Sequence, residues 1–101
     1  MRTLEVAEVT IDEGGRLLIR PTEADGSFQF VYRAGAEVSW DAGRASFACP
    51  KPREWSYVRW FQQARDAVRS ELGWNLKITR QTIWTNATAA LREEISSASA
   101  G

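Results

Sequence analysis

The feature that most restricts the fold is a change of hydrophobic period at Pro50-Lys51-Pro52. Before it, apolar residues recur at every second position; after it, they recur at helical spacing. Side chains alternate across a strand but return to one face of a helix every three or four residues, so the two halves require different elements. Leu4 to Ile11 reads as a first strand, its apolar phase slipping between Val6 and Ala7, which implies a bulge or a strand covered on both faces. Asp12-Glu13-Gly14-Gly15 turns the chain into Arg16–Arg20, and Pro21 ends that strand because it has no N–H for the ladder. After an Asp25-Gly26 turn, Phe28, Phe30 and Tyr32 alternate with Gln29, Val31 and Arg33 as a third strand. Val38 and Trp40 lead through Asp41-Ala42-Gly43-Arg44, with Gly43 placed for a positive φ, into Ala45, Phe47 and Cys49. Strands in sequence order, a meander, are the simplest arrangement.

In the second half, Pro52 suits a first helical position and Glu54 its positive end. Projected at about 100° per residue, Tyr57, Val58, Trp60, Phe61, Ala64, Ala67, Val68 and Leu72 share one side, with Arg59, Gln62, Gln63, Asp66 and Ser70 opposite. This predicts a helix from Pro52 to Leu72, stopped by Gly73. On that projection Trp55 falls among the polar residues, where Arg59 can stack on its ring. Trp74, Leu76 and Ile78 predict a last strand, with Ile83 and Trp84 near its end. Asn86 is placed to cap a short helix through Ile95, followed by a fraying tail, Ser96–Gly101. The expected fold is α+β: a single domain (1–101) with an antiparallel sheet of five or six strands, a long helix across one face and a short C-terminal helix. Phe30, Trp40, Phe47, Phe61, Val68, Leu72 and Leu76 are the expected core.

Composition narrows the chemistry. The chain has no His and one Cys, which excludes His-based triads, His metal ligands and an intrachain disulfide. No metal and no cofactor is expected. Formal net charge is zero, so no global field draws the protein to nucleic acid or an anionic membrane. Acidic residues stand where a signal peptide needs an apolar run, and no stretch approaches the ~20 apolar residues of a membrane span. A cytoplasmic location is the expectation. Arg outnumbers Lys by eleven to two, a bias that favours bidentate pairing and stacking on aromatic rings, although high-GC coding produces it too.

Three groups of residues merit a site reading. Cys49 follows Phe47 on an alternating strand, lacks any His as base and is expected to be a buried small hydrophobe. Glu37, Asp41 and Glu54 stand near Arg44, Arg53 and Arg59 around the strand-to-helix junction, where ion pairing is the simpler reading and acid–base catalysis the sharper one. The row of Phe28, Phe30 and Tyr32 would be a stacking platform for single strands if exposed, but the long helix needs that face as a partner.

GGRLLIRP, SFQFVYRA, Val38-Ser39-Trp40-Asp41, PKPREWSYVRWFQQ and TIWTN together resemble a family of short bacterial proteins encoded in integron gene cassettes. The likeness runs from Leu4 to Ile95 and is most specific in PKPREWSY. It implies a bacterial cytoplasmic α+β protein carried on a mobile element, and it carries no catalytic residues over. The first expectation for function is a non-enzymatic interaction module that forms a twofold homodimer and binds a protein partner, with Trp55, Arg59 and Arg53 at the contact. The alternatives are a small-molecule or enzyme domain with a pocket between helix and sheet, and single-stranded nucleic-acid binding.

Overall fold

The computed structural model describes residues 2–99. It is an α+β fold with a six-stranded, mostly antiparallel sheet and its helices. The strands are β1 (Arg2–Ile11), β2 (Leu17–Pro21), β3 (Ser39–Asp41), β4 (Ser46–Ala48), β5 (Trp74–Lys77) and β6 (Ile83–Thr85). The long helix α1 (Tyr57–Ala67) runs on through a π-helical turn, Val68–Leu72, and α2 (Ala89–Ser99) is the C-terminal helix. No helix of the described residues is long and apolar enough to cross a membrane.

The path through the sheet is not a meander. Its order is β3-β4-β2-β1-β5, with β6 also on β1. The β1–β2, β2–β4 and β3–β4 pairings are antiparallel, whereas β5 and β6 both run parallel to β1. The physical reason is connection length: α1 carries the chain back over the sheet, and a crossover helix delivers the next strand parallel to the first. The phase slip in β1 is a bulge, with the register shifting between Val6, opposite Pro21, and Glu8, opposite Arg20. Along the other edge of β1, β5 ends at Lys77 and β6 begins at Ile83. Between them the buried Thr82 donates its hydroxyl to the Val6 carbonyl at 2.7 Å, satisfying a group the broken ladder leaves over.

The segment 28–33 is helical rather than a strand. Gly26–Ala34 forms a 3₁₀ helix, capped by the Asp25 side chain accepting from the Ser27 N–H at 2.9 Å and closed by Gly35 at φ 68°. Residues three apart line up in a 3₁₀ helix, so Phe28 and Val31 enter the core while Tyr32 is 59% exposed. Phe30 is only partly buried, beneath the Arg33 guanidinium at 4.3 Å. There is therefore no aromatic row on the sheet face.

One core cluster joins the sheet to the helices. Leu4, Val6, Val9, Leu17, Ile19, Phe47 and Leu76 from strands meet Phe28, Val31, Phe61, Ala64, Val68 and Ile95 from helices. Of the expected core, Phe47, Phe61, Val68 and Leu76 are buried, while Trp40 and Leu72 are partly buried against the cluster. Two turn expectations change. In the β3–β4 turn it is Ala45, at φ 49°, that takes the left-handed conformation, not Gly43. Asn86, at φ 58°, donates to the Ile11 carbonyl instead of capping α2; the Thr88 hydroxyl accepts from the Leu91 N–H at 3.1 Å and serves as cap. Helix α2 also continues past Ile95 to Ser99, so Ser96–Ser99 is helical; the rest of the expected fraying tail lies outside the described residues.

Candidate functional site

Helix α1 begins later than its prolines suggest. Ser56 is its cap, accepting from the Arg59 N–H at 3.2 Å, and Pro52 to Trp55 are an irregular approach to it. Prolines fit a first helical turn, but the capping hydroxyl of Ser56 satisfies an otherwise orphaned N–H and wins the boundary. Trp55 is consequently not on the polar face of the helix. It immediately precedes the cap and packs on Trp60, ring centroids 5.0 Å apart. That is the geometry of a hydrophobic staple, which fixes the angle at which the chain enters a helix. Arg59 does stack over Trp55, its guanidinium 4.7 Å from the ring centroid.

The approach segment is anchored to the β1–β2 turn. The Tyr57 hydroxyl donates to the Gly15 carbonyl at 2.8 Å. Gly15 has φ 84°, and a Cβ there would come within 3.3 Å of the Lys51 side chain. Two constraints thus favour glycine at this position, the left-handed backbone and the close approach of Lys51.

Between these anchors lies a groove of about 460 Å³ lined by Glu37, Pro50, Lys51, Arg53, Glu54, Trp55 and Trp60. Its wall is two indoles, one of which, Trp60, has a buried Nε1 without a hydrogen-bond partner among the described residues. Its rim carries two cations and two carboxylates. None of the four takes part in an ion pair among the described residues. Glu37 adopts φ 61°, an unfavourable region for a side-chain-bearing residue. The groove thus combines a left-handed Glu37, a buried indole N–H without a partner and four charged groups outside any ion pair, all among the described residues.

The carboxylate–arginine cluster expected at the junction is divided. Glu37, Glu54 and Arg53 line the groove, and Arg59 lies on Trp55 beside it. Asp41 and Arg44 belong to the β3–β4 turn, where the Arg44 N–H donates to Asp41 at 3.2 Å and Arg44 reaches Asp12 at 3.0 Å. Of the three carboxylates, Glu37 and Glu54 share the groove and Asp41 stands apart from it. Cys49 is buried, its thiol 3.8 Å from the Trp60 carbonyl, and desolvation pushes its pKa up to about 12. It is held as a thiol.

Sequence reasoning missed a second concavity, on the sheet face that no helix covers. Glu8, Thr10, Asp12, Leu18, Arg20, Arg44 and Ser46 line it. Asp12 accepts from the Arg16 backbone N–H at 2.8 Å, from Arg16 Nε and from Arg44, and the backbone bond above all draws its pKa down to about 2. Glu8 is lowered too, chiefly by the Thr85 hydroxyl and also by Arg20. Polar positions alternating with core residues on β1 and β2 were the available signal. A lowered carboxylate pKa adds stability at pH values above the unfolded pKa, which is lost as pH falls through the folded one. Asp12→Asn should therefore lower stability at neutral pH and flatten its decline between about pH 4 and pH 2. Urea melts at a series of pH values check this; unchanged acid sensitivity would count against the Asp12 network.

Residues 4–82 match the family model described as Integron Cassette Protein Hfx_Cass5. A solved structure from the mobile metagenome of the North West Arm sewage outfall, itself integron cassette protein Hfx_Cass5, is 40% identical over 100% of this chain and 99% of that one, with a TM-score of 0.49. No curated protein matches. Identity and coverage, rather than the superposition, carry the relationship. The chain belongs to the Hfx_Cass5 family of integron cassette proteins.

Proposed function

We propose that the protein is a small non-enzymatic interaction module that pairs with a second copy of itself through the Trp55 groove. One observation carries the reading: the groove rim holds Lys51 and Arg53 together with Glu37 and Glu54, all without ion-pair partners among the described residues. In a twofold contact one patch meets its own copy, so the patch must complement itself. A rim balanced between the two signs meets that requirement, whereas a nucleic-acid or acidic-peptide site would be one-signed. Trp and Arg are also the types enriched at the energetic centres of interfaces, and Trp55, Arg53 and Arg59 lie together here. A protein partner of the dimer would be recognised by the assembled surface.

Arg53→Glu tests the reading with little effect on the fold, because Arg53 is exposed and has no ion-pair partner among the described residues. Sedimentation velocity over a wide concentration range should show a dimer for the wild type and at least a tenfold weaker one for this variant, with an unchanged melting temperature. Trp55→Ala should weaken association by ~2 kcal/mol or more, the size of an interface hot spot. It also removes the staple on Trp60, so its melting temperature should fall slightly. A wild type that stays monomeric at millimolar concentration ends the proposal. The alternative occupant, a small molecule against the two indoles, would appear as a monomer stabilised by one chemical class of metabolite.

A further inference from the structure

The open face of the sheet is built unlike an ordinary solvated face. The register places Leu18 beside Ala48 and Thr10, and Arg20 beside Glu8, all pointing away from the core cluster. No helix of the described residues lies on this side, yet Leu18 is 5% exposed, Ser46 4% and Ala48 3%. Residues so buried on an uncovered face form the floor of a depression, and the depression measures about 510 Å³. The long polar side chains that wall it are fixed rather than free. Arg20 donates to Glu8 at 3.3 Å, while the other Glu8 oxygen accepts from the Thr85 hydroxyl. Arg44, leaving the β3–β4 turn, reaches Asp12 in the β1–β2 turn at 3.0 Å. Glu8 therefore holds Arg20, and Asp12 holds Arg44 as well as Arg16; the Arg20 and Arg44 guanidiniums, each with five N–H donors in a planar fork, have donors left over.

One charged group at this site is not consumed in that way. Glu13 lines the same depression, is exposed and has no ion-pair partner among the described residues. The depression thus offers fixed donors for a carboxylate, a free carboxylate for an ammonium and an apolar floor at Leu18. It has no aromatic wall of the kind on which sugars and bases stack, which separates it from the Trp55 groove. We infer that this face is a binding site for a small zwitterion, an α-amino acid or close relative, with its carboxylate on Arg20 and Arg44, its ammonium on Glu13 and its carbon chain over Leu18. The site is separate from the self-association surface and stands or falls without it.

The test is a titration of the isotope-labelled full chain, followed by amide NMR shifts, with glycine, L-alanine, L-leucine and L-glutamate to 20 mM, a range chosen to reach roughly millimolar affinities. Saturable shifts at Thr10, Leu18 and Ser46 with at least one of these are expected. The same amino acid as its N-acetyl derivative or its methyl ester, each lacking one charge, should bind at least tenfold more weakly. Glu13→Gln, at an exposed and unpaired position, should weaken the amino acid at least fivefold and leave the ester-blocked analogue's response no stronger than before. Arg20→Lys, which keeps the charge but loses the fork, should weaken it at least threefold. No saturable response to any of the four, or an equal response to the N-acetyl derivative, overturns the inference. Shifts confined to Trp55 and its neighbours overturn it as well, because they move the site to the groove.

Discussion

Replacing Phe28 with alanine is expected to lower the unfolding free energy by ~3–5 kcal/mol, the range for deleting a buried aromatic side chain. The ring is fully buried and touches three others, with centroids 5.3 Å from Trp40, 5.2 Å from Phe47 and 5.7 Å from Trp74. Those partners come from β3, β4 and β5, so one side chain of the 3₁₀ helix joins both ends of the sheet. Each edge-on or tilted aromatic pair adds ~0.5–1.5 kcal/mol to the area buried. Phe28→Leu, which keeps part of the volume but forfeits the three ring contacts, should lose less than the alanine variant and more than Phe30→Ala. Phe30→Ala is the internal control: its ring lies outside the core cluster beneath Arg33, and a loss of ~1 kcal/mol or less is expected. Urea melts at a common slope compare the three. Equal losses at 28 and 30 would mean that the aromatic side facing the core has been assigned wrongly.

Phe61→Ala should cost a similar ~3–5 kcal/mol, for a different reason. Phe61 is fully buried at the start of the second turn of α1, on the same face as Ala64 and Val68. Small Ala residues at 64 and 67 let the helix approach the sheet closely, so the space left by the ring has few side chains free to fill it. A loss below ~1 kcal/mol would show that the helix presents another face. The two substitutions together remove an amount comparable to the whole stability of a domain this size, ~5–15 kcal/mol. The double variant should therefore be largely unfolded at room temperature, lacking near-ultraviolet circular dichroism from the five tryptophans.

The contrast between these residues shows which parts of the fold were legible beforehand. Phe61 lies in a run where apolar positions repeat at helical spacing over many residues, and a long regular pattern leaves one solution. Phe28 lies in a short run where two patterns coincide. Phe28, Phe30 and Tyr32 alternate as a strand would, while Phe28, Val31 and Ala34 repeat every third residue as a 3₁₀ helix would. Asp25 as a cap and Gly35 as a stop favour the helix, and both were readable. The same holds for Ser56: its hydroxyl was a cap signal as strong as Pro52, and taking it would have moved Trp55 off the helix and onto Trp60.

The groove was half legible for the same reason. Trp55, Arg53 and Arg59 stood out as aromatic and cationic residues without an obvious core role, and the structure places all three at or beside one concavity. Glu37 arrives there from a loop sixteen residues earlier than Arg53, a contact that no local pattern encodes.

What the amino-acid sequence by itself determined is the set of local choices. These are the bulge in β1, the period change at Pro50, the core face of α1, the Gly73 stop and the burial of a lone Cys without a base. Each depends on residues within a few positions of one another, where sterics, hydrogen-bonding capacity and hydrophobic spacing act directly. Only the tertiary structure decided that β5 and β6 return parallel to β1, that Phe28 joins three strands, and that Arg44 crosses the open face to Asp12. Those pairings link residues tens of positions apart, and their energies depend on how the sheet twists and what the helices leave uncovered, quantities that exist only once the chain has closed on itself.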